Sequence, residues 1–423
     1  MQELQPPPSY GGQIRELDGL RGVAIGFVML HHYWPAGGML SFGENLATLG
    51  WIGVDLFFVI SGFLITGILL DTRNEKGYYK NFYARRGLRI FPLYYGFLLA
   101  AFTLIPLVEG GPYFSTRFLQ ESGSPWWYCL YAGNLREAIT GHEPAYFLAP
   151  LWSLSIEEQF YLTFPWIVAV CSRRQLTTLL LGCLAFAPAF RAVTLWLFPA
   201  NERIQYLATF SRVDVIAWGG LLAIGMRSGR IFCERWADSL LVGALGACVL
   251  AYQLGGLDRE RPFCRVWGYS LVAVTFALLV WWAVRQRDTG RTAWLRARPL
   301  CGLGSLCYGV YLLQRPAEVL LLKAFGRLGL TFAADSIWLM GAKCVFAILV
   351  AWISFRCFEQ PILSLKRYFT SARHPSLIPA EAKPFESAQP CAANADGVES
   401  PDSCEDSSVP ATACPSPVAA SYR

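Results

Sequence analysis

A succession of long apolar runs constrains this chain more than any other feature, and the first run shows what kind they are. Leu17 to His32, LDGLRGVAIGFVMLHH, opens on a charged pair, Asp18 and Arg21, and ends in two adjacent histidines. From Gly22 to Gly43 there is no Asp, Glu, Lys or Arg. At about 1.5 Å per residue, a helix of that length crosses the ~30 Å of bilayer hydrocarbon. Helical geometry then sorts its polar residues. At about 100° per residue, Arg21 and His32 fall within roughly 20° of one another, Asp18 lies about 40° from His32, and His31 points elsewhere. The rise from Arg21 to His32 is about 16 Å, which sets His32 near or beyond mid-membrane when Arg21 lies at the cytoplasmic headgroups. An imidazole at that depth needs partners, so His32 is a functional candidate; the plainer alternative is a cap at the outer water interface.

Further charge-poor runs lie near 49–70, 88–107, 149–171, 175–198, 207–226, 239–256, 265–284, 300–322 and 336–357. With 17–38 they imply an all-α polytopic membrane protein of about ten transmembrane helices. Composition agrees, with 54% hydrophobic and 16% charged residues, 15 Trp and 28 Phe. The loops at 71–89, 172–174, 227–237 and 285–298 hold sixteen Lys and Arg, and the alternate loops about half as many. The basic loops, and with them both termini, are therefore expected to be cytoplasmic, in an inner (plasma) membrane. The +6 net charge is spread over short loops and calls for no nucleic-acid partner; the partner it does call for is the lipid bilayer. Thirteen Cys, an odd number without a CxxC pair, read as packing residues, and no His and carboxylate set has metal-ligand spacing.

Three segments follow: a flexible leader (1–14), a membrane domain (15–367) and a disordered cytoplasmic tail (368–423) rich in Pro, Ser and Ala. No small-residue cleavage site precedes the first span. The largest outer loop, about 108–148, is long enough for a lid or acceptor-binding loop and is equally compatible with a disordered connection.

Polar residues inside the runs are the candidate site. Asp55 lies near the outer end of the second run, and Glu157 with Glu158 in the outer half of the fourth, at a depth comparable with His32. A histidine with a carboxylate to orient it is a general acid/base arrangement. The alternative for each carboxylate is a structural pair with Arg191, Arg212 or Lys343. On the cytoplasmic side, FYARRGLRIFPLYY sets Arg85 and Arg89 one turn apart with Arg86 beside them. Such a cluster suits phosphate groups, and equally an ordinary positive-inside flank.

Five blocks in order, LDGLRG with its histidine, GVDLFFVISGFLIT, FYARRGLRIFPLYY, LWSLSIEEQFYL and FEQPILSLKR, resemble the acyltransferase-3 family of integral membrane O-acyltransferases over residues 14 to 367. The resemblance implies a ten-span core that moves an acyl group, most often acetyl, from cytoplasmic acyl-CoA to a hydroxyl of an extracytoplasmic glycan or glycolipid. It assigns His32 to the family's first-span histidine and Arg21 to its LDGLRG arginine. Arg85, Arg86 and Arg89 match the basic cluster linked with the CoA donor, and Glu157 and Glu158 the acidic pair. Gln314 stands where many members carry a second histidine.

The expected chemistry places acyl-CoA phosphates on Arg85, Arg86 and Arg89. His32, oriented by Asp55, Glu157 or Glu158, takes the acceptor hydroxyl's proton, and Arg21 neutralises donor charge or braces Asp18. A covalent acyl-histidine stays open. No metal is required. The alternative is a secondary transporter of a small polar or anionic solute, which predicts inverted repeats that the sequence does not display.

Overall fold

The computed structural model describes residues 14–35, 47–104, 118–228, 236–330, 332–333 and 336–369. The expected leader before Ile14, the tail beyond Phe369 and positions 105–117 of the large loop lie outside them. Every regular element among the described residues is helical. The longer helices are α1 (Arg15–Tyr33), α2 (Ile52–Thr72), α3 (Tyr78–Leu99), α4 (Gly133–Thr140), α5 (Leu151–Val170), α6 (Arg173–Leu197), α7 (Val213–Ser228), α8 (Ala237–Gln253), α9 (Tyr269–Arg285), α10 (Arg298–Arg327) and α11 (Ile337–Ser354).

All but α4 coincide with a predicted run. Four are long and apolar enough to cross a membrane: α2, α6, α9 with the π-turn before it, and α11 with the turns that extend it to Tyr368. Of the others, α7 and α8 are too short, at 16 and 17 residues, and α3 and α10 carry charges of chemical interest. Thus α3 contains Arg85, Arg86 and Arg89, and α10 contains Arg315 and Glu318. Helix α3 also begins about ten residues before its expected run, so its arginines sit inside the helix rather than at its entrance. Tyr78, Phe82, Ile90, Leu93 and Phe97 recur on one buried face, and that face extends the helix through its charged half.

The most apolar helix, α2, lies among α1, α5, α7 and α9. Glycines let it come close, as small residues do wherever helices gain nothing from burying one apolar surface in another. A Cβ on Gly62 would stand 2.1 Å from the Ile216 carbonyl oxygen, and one on Gly219 2.1 Å from that of Val59. In the same manner Gly304 of α10 faces the Asp18 carbonyl of α1. Helices α1 and α10 run side by side in one direction, with Asp18 opposite Gly304 and His32 opposite Arg315. Helices α2 and α7 also run together, with Asp55 opposite Arg212 and Asp71 opposite Arg227. These two close packings place the residues of the site.

Gly219→Ala forces the α2 and α7 backbones apart and should cost about 1–3 kcal/mol, read as a lower midpoint of thermal unfolding in detergent. Gly243→Ala, on α8 with open space around it, should leave the midpoint unchanged. Equal midpoints for the two variants would refute this account of the packing.

Candidate active site

A cavity of about 200 Å³ lies where the end of α1 and the middle of α10 meet the segments 133–150, 199–207 and 257–264. Both His31 and His32 line it, with ring centroids 5.4 Å apart, so His31 shares the site although helical projection turned it away. Trp51, Trp152, Tyr206, Tyr269 and Tyr311 form much of the wall. In the large loop, residues 133–150 are folded and supply Glu137, Glu143 and Pro150, which settles that part of the loop as cavity wall rather than a loose connection.

The two imidazoles are held in opposite tautomers. The Nδ1 of His31 lies 2.8 Å from the Ala47 carbonyl oxygen, which only accepts, so the proton is on Nδ1 and the lone pair on Nε2. The Nδ1 of His32 lies 2.8 Å from Nη2 of Arg315, which only donates, so its Nδ1 lone pair is engaged and Nε2 carries the proton. The sequence reading expected a carboxylate beside His32; the structure places a guanidinium there. Arg315 also lies 4.1 Å from the centre of the Tyr146 ring. Tyr146 donates to Glu318, which pairs with Lys343 at 2.7 Å.

Asp55, Glu157 and Glu158 are absent from the cavity wall. Asp55 and Arg212 form a fully enclosed pair at 3.3 Å, the structural alternative raised for this carboxylate. The Arg212 guanidinium lies 4.1 Å from the Tyr269 ring centre and 4.7 Å from that of Tyr206, so the pair braces two walls of the cavity from behind. Arg191 and Asp214 make a second enclosed pair, completed by Ser270 and the Val266 and Ser211 carbonyls. Glu157 accepts from Ser61 at 2.7 Å, and Tyr161 donates to the same hydroxyl. Arg86, lying over the Tyr161 ring at 4.9 Å, and Arg21 act electrostatically on Glu157. The acidic pair therefore belongs with the basic cluster, because α5 meets α3 at that level. Glu158, 4% exposed, keeps one oxygen without a partner among the described residues.

In the basic cluster, Arg21 and Arg86 act electrostatically on Arg89, while Arg21 is bonded to Asp18 at 2.9 Å. Arg85, Arg86 and Arg89 all act on Lys366, which the turn Ser364–Tyr368 brings to them. The sequence reading quoted Lys366 within FEQPILSLKR and gave it no role. Arg315 and Arg259 were missed as well; Arg315 was legible only as a charge inside an apolar run. Gln314 is buried away from the cavity, its amide donating to the Tyr311 carbonyl.

A family profile described as an acyltransferase domain matches residues 14–356. The chain is 28% identical over 367 residues to a putative peptidoglycan O-acetyltransferase, YrhL, of Bacillus subtilis (strain 168), covering 82% of this chain and 54% of that protein. It is 26% identical over 370 residues to the peptidoglycan O-acetyltransferase OatA of Listeria monocytogenes, covering 82% and 56%. It is also 27% identical over 374 residues to the O-acetyltransferase OatA of Staphylococcus aureus, covering 82% and 56%. The chain thus spans a little over half the length of these curated relatives. No solved structure matches at a significant level.

Two outcomes test the geometry. Asp55→Ala strands a buried guanidinium and should cost about 3–5 kcal/mol of stability; Asp55→Leu combined with Arg212→Met should recover part of it. A loss of turnover at unchanged stability would instead make Asp55 a chemical group. At the cavity rim, burial lifts the Glu137 carboxyl to about 8, against the pull of Arg203 and Arg136. The folded protein therefore holds this proton more tightly than the unfolded chain. The stabilisation is full below the unfolded value of 4.5 and is lost as pH rises to about 8. Unfolding midpoints should fall across that window, and fall less in Glu137→Gln; identical slopes would contradict the assignment.

Proposed function

The chain belongs to the acyltransferase-3 family, and from that premise we propose that it is a ten-span membrane O-acyltransferase that moves an acetyl group from cytoplasmic acyl-CoA to a hydroxyl of a cell-wall glycan. The observation that carries the proposal lies on one helix. On α1, Arg21 stands in the basic cluster and His32 on the cavity, about 16 Å further along. Supporting the ten crossings, α1 and α10 run in one direction and so do α2 and α7, as odd and even spans must.

Arg85, Arg86 and Arg89, with Lys366 beside them, hold the donor phosphates, and the pantetheine arm covers the distance to the cavity. The acceptor sugar stacks on the cavity's aromatic walls. With Arg315 moved off Nδ1, His32 takes the proton of the acceptor hydroxyl as its oxygen attacks the thioester carbonyl. The carbon–sulfur bond breaks, the acetyl group passes to oxygen, and the CoA thiolate leaves and is protonated. Polysaccharide modification in the cell envelope and both termini on the cytoplasmic side follow from the same reading. His31 offers a second lone pair, at Nε2, and the mutant pair decides between the rings.

In detergent, where no gradient exists, the purified full-length protein should consume acetyl-CoA. His32→Ala should lower turnover about 10²- to 10⁴-fold with donor binding retained. Arg89→Ala should weaken acyl-CoA binding about tenfold or more. Loss on His31→Ala alone would move the base to His31. Wild-type protein that neither binds nor consumes acyl-CoA would favour a secondary transporter.

A further inference from the structure

The cavity wall holds three arginines and three glutamates, and they are not paired one to one. Arg203 takes Glu137 at 3.3 Å and also Glu143, and Arg265, outside the wall, takes Glu202 at 3.2 Å. Each of the three wall carboxylates therefore has a cation. Arg259 and Arg315 form no ion pair with a carboxylate among the described residues, although Glu202 acts electrostatically on Arg259. Arg259 lies over the Tyr206 ring at 4.8 Å. Arg315 lies over Tyr146, spends one hydrogen bond on His32, and keeps a buried Nε without a partner. The carboxylate nearest to its reach, Glu318, is committed to Lys343 and Tyr146. Both guanidinium groups line the cavity and act electrostatically on both imidazoles, so both face one part of it, beside the histidines.

We propose that this spot binds an anionic group of the acceptor, a carboxylate or phosphate close to the reacting hydroxyl, and that in binding it draws Arg315 off His32. The inference rests on the acyl-transfer reading and adds the acceptor's chemical class. Guanidinium prefers an anion to a neutral nitrogen, because an anion adds the attraction of a full opposite charge and can accept two parallel hydrogen bonds where Nδ1 accepts one. An anion reaching Arg315 therefore competes with Nδ1 of His32 and wins. The Nδ1 lone pair is then open to the acceptor's own hydroxyl proton. A neutral sugar leaves Arg315 where it is, with the lone pair covered. Arg315 is thus a positioning residue that makes the base available only to a charged acceptor.

The test uses the full-length protein in detergent with three probes: methyl glucoside, methyl glucuronide and glucose 1-phosphate. Each is followed by calorimetric binding and by acetyl transfer from acetyl-CoA. The wild type should bind one or both charged probes about tenfold or more tighter than methyl glucoside, at low salt. Preference between glucuronide and phosphate tells carboxylate from phosphate. Arg259→Gln should remove most of that preference. Arg315→Met should lower transfer to the charged probe and raise transfer to methyl glucoside, a reversal that a loss of folding does not produce. Equal wild-type binding of charged and neutral probes overturns the anion site, whatever transfer shows. Transfer to methyl glucoside that falls or stays level in Arg315→Met overturns the gate. Absence of transfer to every probe by the wild type defeats the acyl-transfer reading alone, since binding still reports on the anion site.

Discussion

Arg212 and Asp55 are wholly enclosed among helices, and the cost of holding such charges out of water governs where every other polar group of this protein stands. Arg191 shows the cost being met in full: its guanidinium finds Asp214, Ser270 and two backbone carbonyls. Arg212 meets it with one carboxylate, one carbonyl and two tyrosine faces. Arg315 and Glu158 each keep a buried polar atom without a hydrogen-bond partner among the described residues, as do Asp55 and Arg212 themselves, but neither Arg315 nor Glu158 has a partner of opposite charge in an ion pair. In an apolar bundle the ion pairs hold helices together. Arg315, on the cavity, is where a ligand has charge to add.

Much of this was legible in the sequence, because the signals were local. Ten charge-poor runs coincide with all the longer helices but α4, and LDGLRG with FYARRGLRI supplied two arms of one basic cluster, since a helix turns residues four apart onto one face. What escaped was pairing between helices. Asp55 and His32 share a depth in sequence, yet the parallel packing of α2 on α7, fixed by Gly62 and Gly219, turns Asp55 to Arg212. Glu157 likewise shares that depth, yet α5 faces α3 and gives it to Arg86 and Ser61. Helical projection also misjudged His31, because the cavity wraps around the end of α1, where the first loop's Ala47 fixes that ring.

The rigid connection between the two ends is α1 against α10. Gly304 brings the backbones together beside Asp18, and Tyr33 donates to the Gln314 carbonyl at 2.7 Å beyond the cavity. Between these clasps, Arg21 and His32 are fixed relative to one another and to Arg315. On the proposed function, a donor that enters from one side and an acceptor from the other would then meet at a defined point, without either crossing the bundle.

A thioester brought to an exposed base faces one competitor in excess, water. An imidazole with a free lone pair over an acyl-CoA would deprotonate water as readily as a sugar hydroxyl and lose the acyl group to hydrolysis. In the structure the Nδ1 lone pair of His32 is covered by Arg315. On the proposed mechanism water, being neutral, cannot remove that cover and an anionic acceptor can. The same arginine that misses a carboxylate partner would then serve both selection of the acceptor and protection of the donor, which gives a physical reason for keeping an unneutralised guanidinium beside a histidine inside a membrane protein.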